Sequence, residues 1–174
     1  MTAEPIFKVI DQFVPPDLQR AIWANCMEKK WYFGNQSVDL SPDIPFWKMD
    51  LDQTPSVNRL WLEAKDICEE IAGHTLRVVR QSANGQTYGQ NGRKHVDDAR
   101  EGCPTLIYYP MPQWNPDWEG ETIFFNAQGD IVAGVLPVPN RAVLFDGRLA
   151  HAGRAPSRHC KLLRVTVAIK LERA

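Results

Sequence analysis

Net charge is the first thing this chain of 174 residues lacks: 20 lysines and arginines face 21 aspartates and glutamates, a formal balance of -1. No global field draws it to nucleic acid or to an anionic membrane, and neither is expected as a partner. No apolar run approaches the roughly 18 residues of a membrane span. Cys26, Cys68, Cys103 and Cys160 include no CxxC pair, and the opening MTAEPIFKV lacks the basic and then apolar layout of a signal peptide. The expectation is a cytoplasmic protein with reduced, free thiols. Repeats of fixed period and low-complexity linkers are missing too, so residues 1–174 are read as a single domain, able to bury about two-thirds of its unfolded surface. Nothing in the sequence fixes an oligomeric state. What is plentiful is tryptophan (6) and proline (13), which suits a loop-rich β fold with aromatic-lined concavities.

The texture changes near residue 74. Before it, Leu18, Ala21, Ile22 and Cys26 recur at helical spacing behind Pro15-Pro16-Asp17, predicting a helix over 16–30. A second helix starts at Thr54-Pro55, carries Val57, Leu60, Trp61, Ala64, Ile67, Cys68 and Ile71, and stops at Gly73. After it come short β-rich pieces, 75–80, 105–109, 121–126, 141–146 and 162–171, separated by Gly, Pro and Asn. Helices first and strands afterwards, without αβ alternation, predict a mainly β, α+β architecture. Helices of the part before about residue 73 would buttress one face of an antiparallel sheet or barrel over 74–171.

The stretch GRKHVDD, 92–98, places His95 and Asp97 one residue apart. On an extended strand, residues two apart share a face at about 6.5 to 7 Å, a span that one metal ion bridges. HxD alone is a weak signal and needs a third ligand. His74 follows the second helix, and His159 sits in a polar turn. His151 instead follows the strand Ala142-Val143-Leu144-Phe145 and its Asp146-Gly147 turn, with the small Ala152-Gly153 beside it. Two histidines and a carboxylate make a facial triad with open positions, the donor set of non-haem Fe(II). Asp98 falls on the opposite face and reads as a solvated neighbour.

These residues resemble the prolyl-4-hydroxylase-like branch of the Fe(II)- and 2-oxoglutarate-dependent dioxygenases. The likeness spans about 77–170 and rests on ordered motifs: RQSANGQTYGQNGRKHVDD (80–98), TLIYYP (105–110), WEGETIFF (118–125) and RAVLFDGRLAHAGRAP (141–156). The resemblance implies a double-stranded β-helix, the jelly-roll or cupin-like core, with the N-terminal helices packed on one sheet. It implies that His95, Asp97 and His151 hold Fe(II), that 2-oxoglutarate and O2 are cosubstrates, and that ascorbate is a candidate reductant. An unpaired carboxylate in a dry pocket is costly, so the far end of 2-oxoglutarate needs a buried cation, for which arginine's fixed fork is suited. In KLLRVTVAIKL, Val165, Val167 and Ile169 share one strand face and Arg164, Thr166 and Ala168 the other. Arg164 with Thr166 therefore leads Arg154, Arg158 and Lys161 for that role. Tyr109 matches the family's donor to the far carboxylate, and Tyr88 a residue lining the cosubstrate pocket. Two departures stand out: a long gap from His151 to Arg164, and Glu119 where the family has the first of two glycines.

The implied reaction is hydroxylation of an unactivated carbon, with release of succinate and CO2. A prolyl residue in a peptide and an amino-acid-like small molecule remain rival substrates. Trp114 and Trp118, in the loop 110–120, are candidates for a lid over substrate or for packing, and Arg154 for substrate contact. Gln81, Asn84 and Gln86 approach the metal stretch, and the aromatic segment 31–47 is a candidate pocket wall. The alternatives are a hydrolytic or isomerising metal barrel with zinc or manganese, or a catalytically silent binding module. A Cys160–His159 nucleophile pair is weaker, since neighbours in a turn rarely align.

Overall fold

A computed structural model describes residues 6–28, 30–36 and 44–174. Its elements run β1 (Phe7–Ile10), α1 (Pro16–Cys26), β2 (Tyr32–Asn35), β3 (Phe46–Asp50), α2 (Pro55–Ala72), β4 (Leu76–Gln86) and β5 (Pro104–Tyr109). A 3₁₀ turn (Pro116–Trp118) and β6 (Thr122–Phe125), β7 (Ile131–Val135), β8 (Arg141–Asp146), β9 (His151–Gly153) and β10 (Arg164–Arg173) complete the order. The strands form a 7-stranded sheet in the order β1-β8-β5-β10-β4-β3-β2 and a 3-stranded sheet, β7-β6-β9. All pairings are antiparallel. This is the helix-buttressed jelly-roll architecture, and a cavity of about 550 Å³ opens between residues of the large sheet and of β6 and β9.

β10 shows how one sequence period builds both sides of the large sheet. Val165, Val167 and Ile169 are wholly buried in the core shared with Val57, Leu60, Ala64 and Cys68 of α2. Arg164, Thr166, Ala168 and Lys170 face the cavity. Alternation of this kind fixes register, because a one-residue slip would put the arginine among the aliphatic side chains. α2 starts at Pro55 and ends on Gly73 in the left-handed conformation (φ 72°), whose N–H donates to the Glu69 carbonyl oxygen (2.8 Å). Among the described residues, no helix is long and apolar enough to cross a membrane.

Several elements depart from the sequence expectation. α1 stops at Cys26, four residues short of 30; the Cys26 carbonyl oxygen accepts from the Trp31 indole instead (2.8 Å). The part before residue 73 is not only helical, since β1, β2 and β3 all join the large sheet. β1 and β2 escape periodicity because each has only four residues at a sheet edge. β4 runs on to Gln86 because Ser82, Asn84 and Gln86 turn polar side chains into the cavity, which erases the apolar pattern of a core strand. β10 begins at Arg164 rather than 162 and continues to Arg173. The opening residues 1–5 and residues 37–43 of the aromatic segment lie outside the described residues.

Candidate metal centre and its cavity

His95 and Asp97 do not lie in a strand. His95 forms an isolated antiparallel bridge with His151, donating N–H to its carbonyl oxygen (3.0 Å) and accepting in return (2.9 Å). The Asp97 N–H then donates to the Gly147 carbonyl oxygen at 2.8 Å. Gly147 is required there: a Cβ at this position would collide with the Cys103 carbonyl oxygen. The HxD loop is thus pinned to the turn leading into β9, and the same backbone contact that fixes His95 brings it to His151.

Both imidazoles are oriented the same way. His95 Nδ1 lies 2.9 Å from the Arg93 carbonyl oxygen and His151 Nδ1 2.9 Å from that of Leu149. A carbonyl oxygen only accepts, so each Nδ1 carries the proton and each Nε2 offers a lone pair to the site. The two Nε2 atoms sit 3.4 Å and 3.6 Å from Asp97 Oδ1 and Oδ2. One ligand atom from each of the three residues lies within 4.8 Å of the others. Metal–ligand bonds of roughly 2.0–2.2 Å put ligand atoms about 3–4 Å apart, so the triad needs little movement to close on an ion. Burial pushes the His151 imidazole down to about 4, with His95 and Lys170 adding to that and Asp97 opposing it, which keeps the ring neutral as a ligand must be. Burial alone would raise the Asp97 carboxyl, but the Lys170 ammonium paired with it outweighs that and holds the group well below the usual carboxylate range.

Two residues near Asp97 carry no sequence signal of their own. The Thr105 hydroxyl donates to Asp97 Oδ2 at 2.7 Å, and the Lys170 ammonium pairs with the same oxygen. Only the register of β10 against β5, which sets Lys170 opposite Thr105, brings them together. Periodicity places Lys170 on the face of Arg164 and Thr166, and that was the one available hint.

Arg164 occupies the other end of the cavity-facing row and is 1 % exposed. Its Nε donates to the Gly120 carbonyl oxygen (2.5 Å), Nη1 to Gln86 Oε1 (2.8 Å) and Thr166 Oγ1 (3.3 Å), and Nη2 to Thr122 Oγ1 (2.9 Å). Every acceptor is neutral. Among the described residues no carboxylate comes within ion-pairing distance, and burial lowers the arginine from its ordinary range, with Tyr109 and Glu121 opposing. A buried guanidinium without a counter-ion is costly, and an anionic ligand in the cavity would remove that cost. Tyr109 is wholly buried; its hydroxyl bonds to Thr122 (2.7 Å) and its ring lies 5.8 Å from the guanidinium carbon. Gln86 and Thr122 therefore belong with Arg164 and Thr166.

Other expected positions fall elsewhere. Tyr88 is 64 % exposed on the turn after β4 and lines a separate open groove with Arg154, Arg158 and His159, so it does not line the cavity of the triad. Its ring is carried outward by the turn at Thr87–Gln90, closed by the Gln90 N–H to the Thr87 carbonyl oxygen. Arg154 lies in that groove, also away from the triad. Trp114 and Trp118 stack edge to face at 5.5 Å, and Trp114 donates its indole N–H to the Glu119 carbonyl oxygen (3.0 Å). Neither lines the cavity; they pack on the chain at Glu119-Gly120 that carries Arg164's acceptor. Of the segment 31–47, Asn35, Gln36 and Phe46 do line the cavity, whereas Gln81 turns away from it. Asp98 is held by Arg100, both of its oxygens accepting. Glu119, at the departure from the double glycine, adopts φ 57°, ψ −140°, a conformation that favours glycine.

No protein-family model matches the chain, and no curated protein matches it by sequence. Solved structures do match in fold. A Pseudomonas putida prolyl-4-hydroxylase aligns at 18 % identity over 99 % of this chain and 95 % of its own, with a TM-score of 0.75. The viral collagen prolyl hydroxylase of Paramecium Bursaria Chlorella virus-1, in complex with 2-oxoglutarate, aligns at 14 % identity over 97 % and 96 %, TM-score 0.70. The non-heme alpha ketoglutarate dependent carbocyclase SnoK of nogalamycin biosynthesis aligns at 14 % identity over 98 % and 81 %, TM-score 0.78. At such identities the likeness is one of fold.

Proposed function

We propose that the chain is a non-haem Fe(II)- and 2-oxoglutarate-dependent dioxygenase that hydroxylates an unactivated carbon of a prolyl, peptidyl or amino-acid-like substrate. The observation that carries this reading is Arg164: a fully buried cation without a carboxylate partner, facing the same cavity as a His-Asp-His cluster. The cluster alone suits several metals. A buried arginine waiting for an anion beside it suits a dianionic cosubstrate that chelates the ion at one end and needs charge pairing at the other.

The chain's residues divide the work. His95, Asp97 and His151 would hold Fe(II), each imidazole locked through its Nδ1–H, while Thr105 and Lys170 occupy Oδ2 of Asp97 and favour metal contact through Oδ1. Arg164 and Thr166, with Thr122 and Gln86 behind them, would bind the distal carboxylate of 2-oxoglutarate, and Tyr109 would brace that group through Thr122. Bound iron and 2-oxoglutarate supply the oxidising chemistry, with O2 as oxidant and succinate and CO2 as by-products. Ile107, Ala168 and the walls of the jelly roll exclude water from the reacting centre.

Anaerobic titration of Fe(II)-loaded protein with 2-oxoglutarate tests the reading. It is expected to produce the visible charge-transfer band of the chelate, lost in Asp97→Ala and His151→Ala. A missing band in the wild-type protein, or one unchanged in both variants, overturns it. Zinc or manganese hydrolysis that survives Arg164→Ala would instead support a non-redox barrel.

A further inference from the structure

The cavity has a second cationic end that the proposed cosubstrate does not use. Across β4 and β10, Arg80 stands directly opposite Lys170. Like charges directly opposite on a sheet repel, here weakly, because Arg80 is exposed and Lys170 is paired with Asp97. Both side chains line the cavity, beside Asp97 and Thr105. The nearby acids are committed elsewhere: Asp97 takes Lys170 and Thr105 on one oxygen, Asp98 takes Arg100, and Asp50 pairs with Lys48 at 3.3 Å. Among the described residues no carboxylate comes within ion-pairing distance of Arg80. Once Asp97 gives its other oxygen to a metal dication, still less negative charge remains to offset the pair.

Arg164 lies far from this pair. Arg164 and Lys170 lie six positions apart along β10, about 20 Å between backbones at the rise of an extended strand. With one end of the cosubstrate on the metal and the other on Arg164, as proposed above, neither of its carboxylates is left for Arg80, and a second place for negative charge remains.

We propose that Arg80 binds a carboxylate carried by the substrate, with Lys170, itself paired with Asp97, adding positive charge from the neighbouring strand, which makes the preferred substrate an acidic small molecule rather than a neutral one. This rests on the dioxygenase reading above. Arg80 acts as a specificity residue: its planar fork at the cavity mouth matches a carboxylate, and Lys170 supports it from the neighbouring strand.

The test uses the full chain loaded anaerobically with Mn(II) and 2-oxoglutarate, so that no turnover occurs, and benzoate as probe, with benzamide as its neutral isostere. Paramagnetic broadening of the ring protons reports residence near the metal. Benzoate is expected to broaden at least fivefold more than benzamide. Arg80→Gln is expected to bring it down to the benzamide level, with Mn(II) affinity unchanged as proof that the centre is intact, and Arg80→Lys to retain part of the difference. Equal broadening of the two probes overturns the inference. So does benzoate broadening that survives Arg80→Gln, which would mean direct coordination to the ion. Failure of the wild-type protein to bind Mn(II) at all sinks the metal-centre reading and this inference with it, whereas Mn(II) binding without discrimination sinks this inference alone.

Discussion

Two cations lie on the same face of β10, Arg164 fully buried and Lys170 half-buried, and they are kept differently. Lys170 has a carboxylate, Asp97, and sits at the metal end; Arg164 has only neutral acceptors and sits at the far end. A paired buried charge can be a standing part of the fold, because its partner is always present. A buried charge without a counter-ion marks a place where a ligand completes the electrostatics. The same strand thus holds one cation that supports a ligand of the metal and one poised for a molecule from solution.

Removing the standing pair should cost most. Lys170→Met leaves the Asp97 carboxylate without its ammonium, and the metal-free protein is expected to lose about 3 kcal/mol or more in chemical denaturation. Bound Mn(II) should narrow that loss, since the ion replaces the missing charge; an equal loss with and without metal would break the comparison.

The pH response sharpens it. His151 is held at about 4 in the folded state, against about 6.5 unfolded. Between those values the unfolded chain takes up a proton that the folded chain refuses, so stability falls as pH falls from 6.5 towards 4. The full penalty, reached below pH 4, is on the order of 3 kcal/mol. Acid titration of the metal-free protein by denaturant midpoint should show this slope, and His151→Gln should flatten it.

For the cation without a counter-ion, the expected effect is on binding rather than on fold. Arg164→Met should raise the 2-oxoglutarate Kd about 100-fold, roughly 2.7 kcal/mol, with metal affinity unchanged by calorimetry. Unaltered 2-oxoglutarate affinity would remove Arg164 from the cosubstrate site. The smallest effect concerns the chain that carries Arg164's acceptor: Glu119→Gly relieves a positive φ and should stabilise the protein by about 1 kcal/mol in thermal unfolding.

Much of the site was legible in the residues. HxD, the strand-turn setting of His151 and the alternation in KLLRVTVAIKL, taken with the family resemblance, singled out the triad and Arg164, which the fold brings to one cavity. Tyr88 lies away from the cavity, and the two tryptophans take the packed of their two readings, because a residue type beside a motif says nothing about which way a turn carries its side chain. The full length of β4 was hidden because cavity-facing Ser82, Asn84 and Gln86 look like loop residues. Thr105 and Thr122 were invisible as site residues and Lys170 nearly so, its strand face being the one hint, since a threonine or lysine in a strand has many ordinary uses.

By itself the sequence determined the alternation of β10, the helix bounded by Pro55 and Gly73, and the donor types available for a metal, all set by neighbours within a few positions along the chain. Tertiary structure alone decided that His95 bridges to His151, that Lys170 and Thr105 share one oxygen of Asp97, and that Arg80 faces Lys170 across two strands. Those contacts join residues 56, 73, 8 and 90 positions apart, and strand register, a property of whole sheets packed against helices, is what brings such distant residues together.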